Sequence, residues 1–121
     1  MTSSKTSFPK TERLRRAAEF RNLVRNSRAL REGGIALYVS QNESGTQNRL
    51  GILASRKALK RAVDRNRAKR VIREFFRSQK GNFLKSGDFV IRILDGSNLF
   101  QENNLEKALD SLFRRAKIIH E

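Results

Sequence analysis

Residues 56–77, RKALKRAVDRNRAKRVIREFFR, hold ten basic side chains against two acidic ones, Asp64 and Glu74. The segment therefore carries +8 (ten minus two) of the chain's formal net charge of +15. Its later apolar residues fall on one side of a helical wheel: Ala68, Val71, Ile72 and Phe75, with Phe76 near the edge. This pattern predicts an amphipathic helix that packs its apolar side on a sheet. Because Leu59, Ala62 and Val63 lie on a different side of the wheel, the helix either begins near Ala62 or packs its first turn differently.

The other side of the predicted helix is basic. It holds Asn66, Lys69, Arg70, Arg73 and Arg77, and four more basic residues precede it: Arg56, Lys57, Lys60 and Arg61. Like charges at this density repel each other, and an anionic partner would relieve that repulsion. An ordinary solvated helix usually mixes Glu with Lys at a four-residue spacing, and this segment has only two acids. Arginine outnumbers lysine here, and it binds phosphate in a bidentate manner and stacks on bases, which favours RNA as the partner over an anionic membrane.

Strand signals lie on both sides of the basic helix. Residues 35–40 alternate between two apolar sets, and residues 50–55 form a second strand candidate. Residues 89–94, FVIRIL, make a nearly continuous apolar run, which is typical of a strand with neighbours on both sides. A shorter extended piece is expected around residues 28–30. Because the basic helix links two strands, the sheet should contain one parallel pair.

Two further helices are predicted at the ends of the chain. Residues 17–26 place Ala17, Phe20, Leu23 and Val24 on one helical face. The C-terminal stripe consists of Leu105, Ala108, Leu109, Leu112, Ala116 and Ile119, and Asn103 with Glu106 forms a capping-box pattern. The predicted order is α-β-β-β-α-β-α. The fold class is α/β (α+β): a two-layer sandwich with helices packed on a small mixed sheet.

Length and composition limit the possible functions. The 121 residues suit one domain at 13–121, preceded by a flexible Ser-, Thr- and Lys-rich arm at 1–12. With no cysteine and only His120, the chain offers no metal cluster and no Ser–His–Asp set, so we expect no catalytic residue and no stably bound metal. It has neither a ~20-residue apolar stretch nor a secretory signal, so we expect a cytoplasmic protein with no membrane partner.

The basic segment resembles the arginine-rich signature of the protein subunit of bacterial ribonuclease P. The matching residues are Ala62-Val63, Arg65-Asn66-Arg67, Lys69-Arg70, Arg73-Glu74 and Phe75-Phe76. The family's other helices and strands are matched as well, by the segments RLRRAAEFRNLV, IALYVS, RLGILASRK, DFVIRIL and LEKALDSLFRRA. The resemblance covers about residues 10–117, and its length and element order make it specific.

The resemblance implies a fold and a function. The family has an uncommon left-handed strand–helix–strand crossover, although the general rule would predict a right-handed one. Its RNA subunit is the catalyst and uses Mg²⁺ ions to remove the 5′ leader of precursor tRNA. The protein binds that RNA and the leader, and no protein partner is required. Carried over by position, the family's RNA-binding motif would be Arg65, Asn66, Arg67, Lys69, Arg70 and Arg73. Arg56, Lys57, Arg61 and Arg77 extend the basic surface and complete the predicted RNA-binding set.

The family's leader cleft lies between the sheet and the first helix. By position it would be lined by Phe20, Val24 and Tyr38, with Val24 standing where the family often has a second aromatic. Stacking on an aromatic ring contributes about 1–3 kcal/mol per base and tolerates any base, which suits a variable leader. Phe20 and Tyr38 could equally be core residues. Asp64 could be a helix N-cap, or it could orient Arg61 or Arg67.

Two other functions remain open from the residues alone. A ribosomal or ribosome-assembly protein could use a similar small α/β domain on RNA. A DNA-binding module could place the basic helix in the major groove, although strands flanking the helix argue against the common helix-turn-helix arrangement.

Overall fold

The chain forms a four-stranded mixed sheet with three helices, as seen in a computed structural model that describes residues 17–41, 48–83 and 87–118. At residues 17–20, 26, 41 and 80 only the backbone is described. The elements are α1 (Ala17–Asn26), β1 (Ala29–Glu32), β2 (Ile35–Gln41), β3 (Arg49–Leu53), α2 (Ala62–Ser78), β4 (Gly87–Ile93) and α3 (Asn104–Arg115). The predicted order and fold class are thereby confirmed. The N-terminal arm, residues 1–12, lies outside the described residues.

The sheet has the strand order β1-β2-β4-β3. β4 pairs antiparallel with β2 and parallel with β3, so the predicted parallel pair joined by the basic helix is present. Arg49 on β3 forms a bidentate pair with Asp88 on β4, with Nε–Oδ1 and Nη2–Oδ2 distances of 3.0 and 2.9 Å, and this pair lies at the start of the parallel register. The hand of the crossover stays a prediction of the resemblance.

The tight turn between β1 and β2 requires glycine. Gly33 and Gly34 have φ values of +59° and +83°, as in the two-residue hairpin turns that suit the twist of paired strands. A Cβ on Gly34 would lie 2.5 Å from the carbonyl oxygen of Asp95. This turn therefore needs glycine for both its conformation and its closeness to the chain after β4.

The main core lies between one face of the sheet and the helices α2 and α3. It includes Ile35, Leu37, Phe89, Ile91 and Ile93 from the sheet, Ala68, Ile72 and Phe76 from α2, and Leu105, Leu109, Leu112 and Phe113 from α3. Aromatic rings connect the layers, with ring centroids 5.1 Å apart for Phe75–Phe113 and 6.0 Å apart for Phe76–Phe89. No charged or polar side chain among the described residues is buried, so apolar burial holds these layers together.

The opposite face of the sheet is covered by α1 and has a smaller core. Leu23 of α1 packs there with Ala36 and Tyr38 of β2 and Val90 of β4. The first helix therefore packs on the sheet from the side away from α2 and α3. It covers this face only in part, and Arg31 and Arg92 on the same face remain exposed.

Two details differ from the sequence predictions. Phe76, placed near the edge of the apolar side, is only 1% exposed, whereas Val71 and Phe75 are half-buried; the sheet packs on the line Ala68–Ile72–Phe76, at four-residue spacing. The capping box of Asn103 and Glu106 is wrong. Asn103 adopts a left-handed conformation with φ of 58° and its side chain makes no capping hydrogen bond.

Candidate nucleic-acid interface

Within the basic segment 56–77, the exposed cations lie on the N-terminal half of α2 and on the connection before it. Six side chains between Arg56 and Arg70 are exposed, and we call them the cationic surface: Arg56, Lys57, Lys60, Arg61, Arg67 and Arg70. Asn66, also predicted for the site, is exposed among them. The helix begins at Ala62, which is one of the two alternatives that its sequence allows, and its first backbone N–H groups add partial positive charge at the same place.

The C-terminal half of α2 contributes less exposed charge. Arg73 and Arg77 are half-buried, as is Lys69. Arg77 Nη2 lies 2.7 Å from Glu74 Oε1, so part of its charge is balanced within the helix. The sequence pattern alone does not distinguish the basic residues along the helix by their exposure. In the structure, the most exposed cations lie toward residue 56 and the half-buried ones toward residue 77. An anion would therefore meet the most available charge at the N-terminal end of α2.

Arg65 fastens the connection to the helix. Its Nη1 donates hydrogen bonds of 2.9 Å to the carbonyl oxygens of Leu59 and Lys60, and its side chain is partly buried. Leu59 itself packs into the main core. Of the ten basic residues in the segment, Arg65 is thus the one tied to the backbone that carries Lys60 and Arg61.

Replacing Arg65 with alanine should lower the free energy of unfolding by about 1–2 kcal/mol, because two carbonyl oxygens lose a charged donor. Urea denaturation measures the change. Arg70→Ala is the matched control, since Arg70 is exposed and has no hydrogen bond within the described residues, and it should shift stability by less than about 0.5 kcal/mol. Equal stabilities for the two variants would show that Arg65 does not fasten the connection.

Asp64 is neither the helix N-cap nor a partner that orients Arg61 or Arg67. The N-cap position belongs to Arg61, which makes no side-chain capping bond, and Asp64 lies within the first turn. In the described residues Asp64 forms no salt bridge with Arg61 or Arg67. A carboxylate in the first turn is still favourable for the helix, since it faces the positive end of the helix dipole.

Arg67 lies against an aromatic ring from a distant part of the chain. Its guanidinium carbon is 4.3 Å from the centroid of the Phe100 ring, in the connection between β4 and α3. No sequence pattern indicates this contact, because the two residues are far apart in the chain and share no local periodicity. The contact depends on the tertiary placement of that connection beside α2.

Tyr38 lies on the sheet face that α1 covers. Its side chain is 6% exposed and packs with Leu23, Ala36 and Val90, while Val24 packs at the edge of this cluster. The Phe20 side chain lies outside the described residues. Val24 and Tyr38 therefore share one region between α1 and the sheet, but in this conformation Tyr38 is mainly a packing residue.

Two arginines on this face were missed by the sequence prediction. The register pairs Ala36 with Arg31 of β1 on one side and with Arg92 of β4 on the other, in the row next to Tyr38 and Val90. Both arginines are exposed. Strand alternation could have found Arg92, since it shares the parity of Val90 in a run that is otherwise apolar.

Residues 17–41, 48–83 and 87–118 contain neither a membrane-spanning helix nor a cluster of metal ligands. No helix there is long and apolar enough to cross a bilayer. The same residues contain no group of three His, Cys, Asp or Glu side chains that could hold a metal ion.

Comparisons with known proteins agree with this architecture. The family model for ribonuclease P matches residues 8–117. The ribonuclease P protein component of Clostridium acetobutylicum is 34% identical over 111 residues, which are 91% of this chain and 92% of that protein. The corresponding protein of Desulfotalea psychrophila is 38% identical over 105 residues, covering 87% and 86% of the two chains.

Solved structures show the same fold. The RNase P protein of Staphylococcus aureus superposes with a TM-score of 0.82 at 24% identity, covering 92% of this chain and all (100%) of that one. The RNase P protein of Thermotoga maritima superposes with a TM-score of 0.74 at 28% identity, covering 86% and 96%. Since the family match includes the whole of α2 and extends over the sheet and α3, the chain belongs to the ribonuclease P protein family.

Proposed function

We propose that this chain binds the catalytic RNA subunit of ribonuclease P through the cationic surface. The observation that supports it most strongly is the exposure of six basic side chains around the N-terminal end of α2, with few acids to neutralise them. Cations in this arrangement displace the counterions condensed on a polyanion, which drives association at moderate salt. Arg67 and Arg70 stand on the packed helix α2 and the other four on the connection before it, and this support suits a folded RNA surface.

The second part of the proposal concerns the 5′ leader of precursor tRNA. We assign its binding to the region between α1 and the sheet, near Val24 and Tyr38. Arg31 and Arg92 support this assignment, because two exposed cations beside an apolar strip suit a single strand with a charged backbone and stacking bases. The tight packing of Tyr38 implies that a small movement of α1 would accompany base stacking.

Catalysis in this proposal belongs to the RNA subunit, with its Mg²⁺ ions. The chain's part in leader removal is electrostatic and positional: it reduces phosphate repulsion and favours substrate over product. Such an endonucleolytic complex acts in tRNA 5′ maturation, which we place in the cytoplasm.

The direct test is cleavage of precursor tRNA by a ribonuclease P RNA at low Mg²⁺, with and without this chain. We expect the chain to increase the rate at Mg²⁺ concentrations where the RNA alone is nearly inactive. Mature tRNA lacking the leader should bind the complex more weakly than the precursor. Absence of stimulation, with binding to ribosomal RNA fragments instead, would favour the ribosome-assembly alternative; preference for duplex DNA would favour the DNA-binding one.

A further inference from the structure

Phe100 combines two environments that the family signature does not predict. One side of the residue packs against the main core, and the ring is only partly buried. The Arg67 guanidinium lies over that ring, with its carbon 4.3 Å from the centroid. The ring therefore connects the hydrophobic core to a cation of the candidate interface.

The connection that carries Phe100 is fixed to the segment before α2. The Gly96 N–H donates a 3.1 Å hydrogen bond to the Ala58 carbonyl, and a Cβ on Gly96 would come within 2.5 Å of that same oxygen. Leu99, beside Phe100, is 1% exposed, and its carbonyl accepts a 3.0 Å hydrogen bond from the Leu105 N–H. The segment that carries the ring is thus bonded to the connection before α2 and anchored in the core through Leu99.

The turn before Phe100 is also closed by local hydrogen bonds. The Ser97 N–H donates a 2.9 Å bond to Asp95 Oδ1, and this bond lowers the pKa of the Asp95 carboxyl. Asn104 Nδ2 donates a 2.8 Å bond to the Asn98 carbonyl, which spans the turn. These contacts brace the segment that carries the ring.

We propose that Phe100 is a positioning residue for RNA docking, because its ring holds the Arg67 guanidinium in the orientation that meets an RNA phosphate. This inference rests on the proposed function. A free arginine loses rotamer freedom when it binds, and a guanidinium already stacked on a fixed ring loses less. The ring contacts the guanidinium from one side only, and the exposed side chain keeps N–H groups for the anion.

The test is a double-mutant cycle on affinity for a ribonuclease P RNA at one fixed salt concentration. The proteins are the unchanged chain, Phe100→Leu, Arg67→Ala and the double variant. Phe100→Leu keeps apolar bulk and removes the ring, so it should weaken binding about two- to fivefold. It should have no further effect in the Arg67→Ala background, and Phe100→Tyr should restore binding.

Two controls separate positioning from packing. Phe83→Leu removes another partly buried ring, which packs on Phe76 and Phe89; its RNA affinity should equal that of the unchanged chain. In the free protein, ring-current shifts of the Arg67 side-chain protons should be present and should vanish in Phe100→Leu.

The outcomes distinguish this inference from the proposed function. Failure of the unchanged chain to bind the RNA would overturn both. If Arg67→Ala weakens binding but Phe100→Leu does not, only the inference fails. It fails equally if Phe100→Leu costs as much in the Arg67→Ala background as in the unchanged chain, because the ring would then act through packing alone.

Discussion

Replacing Arg61 and Arg70 together with alanine is expected to weaken binding to a ribonuclease P RNA by about tenfold or more at moderate salt. Both side chains are exposed, and neither has a hydrogen-bond partner for its guanidinium among the described residues. If each contacts one phosphate, the slope of log affinity against log salt should become shallower by about 1.4–1.8. Filter binding over a salt series measures both quantities.

The matched control is Arg77→Ala on the same helix. Arg77 is half-buried and its Nη2 lies 2.7 Å from Glu74, so its charge is less available to RNA. Its removal should change the salt slope by less than half as much as the double replacement. Circular dichroism would verify that all variants fold. A slope unaltered by the Arg61 and Arg70 replacements, or one altered equally by Arg77→Ala, would show that RNA does not dock at the N-terminal end of α2.

Truncating Tyr38 to alanine should have the largest effect on folding among the site residues. The ring is 6% exposed in the cluster beneath α1, and its removal leaves a cavity there. We expect the free energy of unfolding to fall by about 3 kcal/mol, as for other buried aromatic truncations. Denaturant titration gives this value. Because α1 forms one wall of the proposed leader region, the preference for leader-bearing substrate should fall as well.

Tyr38→Phe is the matched control for this truncation. It retains the ring and should keep both the stability and the substrate preference close to those of the unchanged chain. Affinities for precursor and mature tRNA, measured with the same RNA–protein complex, give the preference as a ratio. If Tyr38→Ala weakens binding of the RNA subunit as much as binding of the precursor, Tyr38 is structural only and the leader binds elsewhere.

The element order could be predicted from the sequence because periodicity is a local property. The alternation in β2 and the four-residue spacing of Ala68, Ile72 and Phe76 are enforced by the layers that bury them. The start of α3 was harder to predict. Asn103 and Glu106 fit the composition of a capping box, but Asn103 adopts φ of 58°, which its residue type tolerates, and no capping bond forms.

The residues of the candidate site could be predicted from the sequence, but the contacts that each basic side chain makes within the fold could not. Sequence identified every basic residue of the segment, yet it could not show that Arg65 bonds to the backbone of Leu59, since that bond depends on how the connection folds. The contact of the Arg67 guanidinium with the Phe100 ring could not be predicted either, because only the tertiary fold brings these residues together. Burial of Tyr38 depends in the same way on where α1 lies.

Lysine modification with and without RNA tests the central claim most directly. Lys57 and Lys60 are exposed within the cationic surface, whereas Lys117 is exposed beyond α3 and serves as an internal control. An amine-reactive reagent followed by mass spectrometry reports each rate in the same sample. Bound to a ribonuclease P RNA, the chain should show strong protection of Lys57 and Lys60 and little change at Lys117. Unprotected Lys57 and Lys60 in a complex shown to be fully formed would contradict docking through the cationic surface.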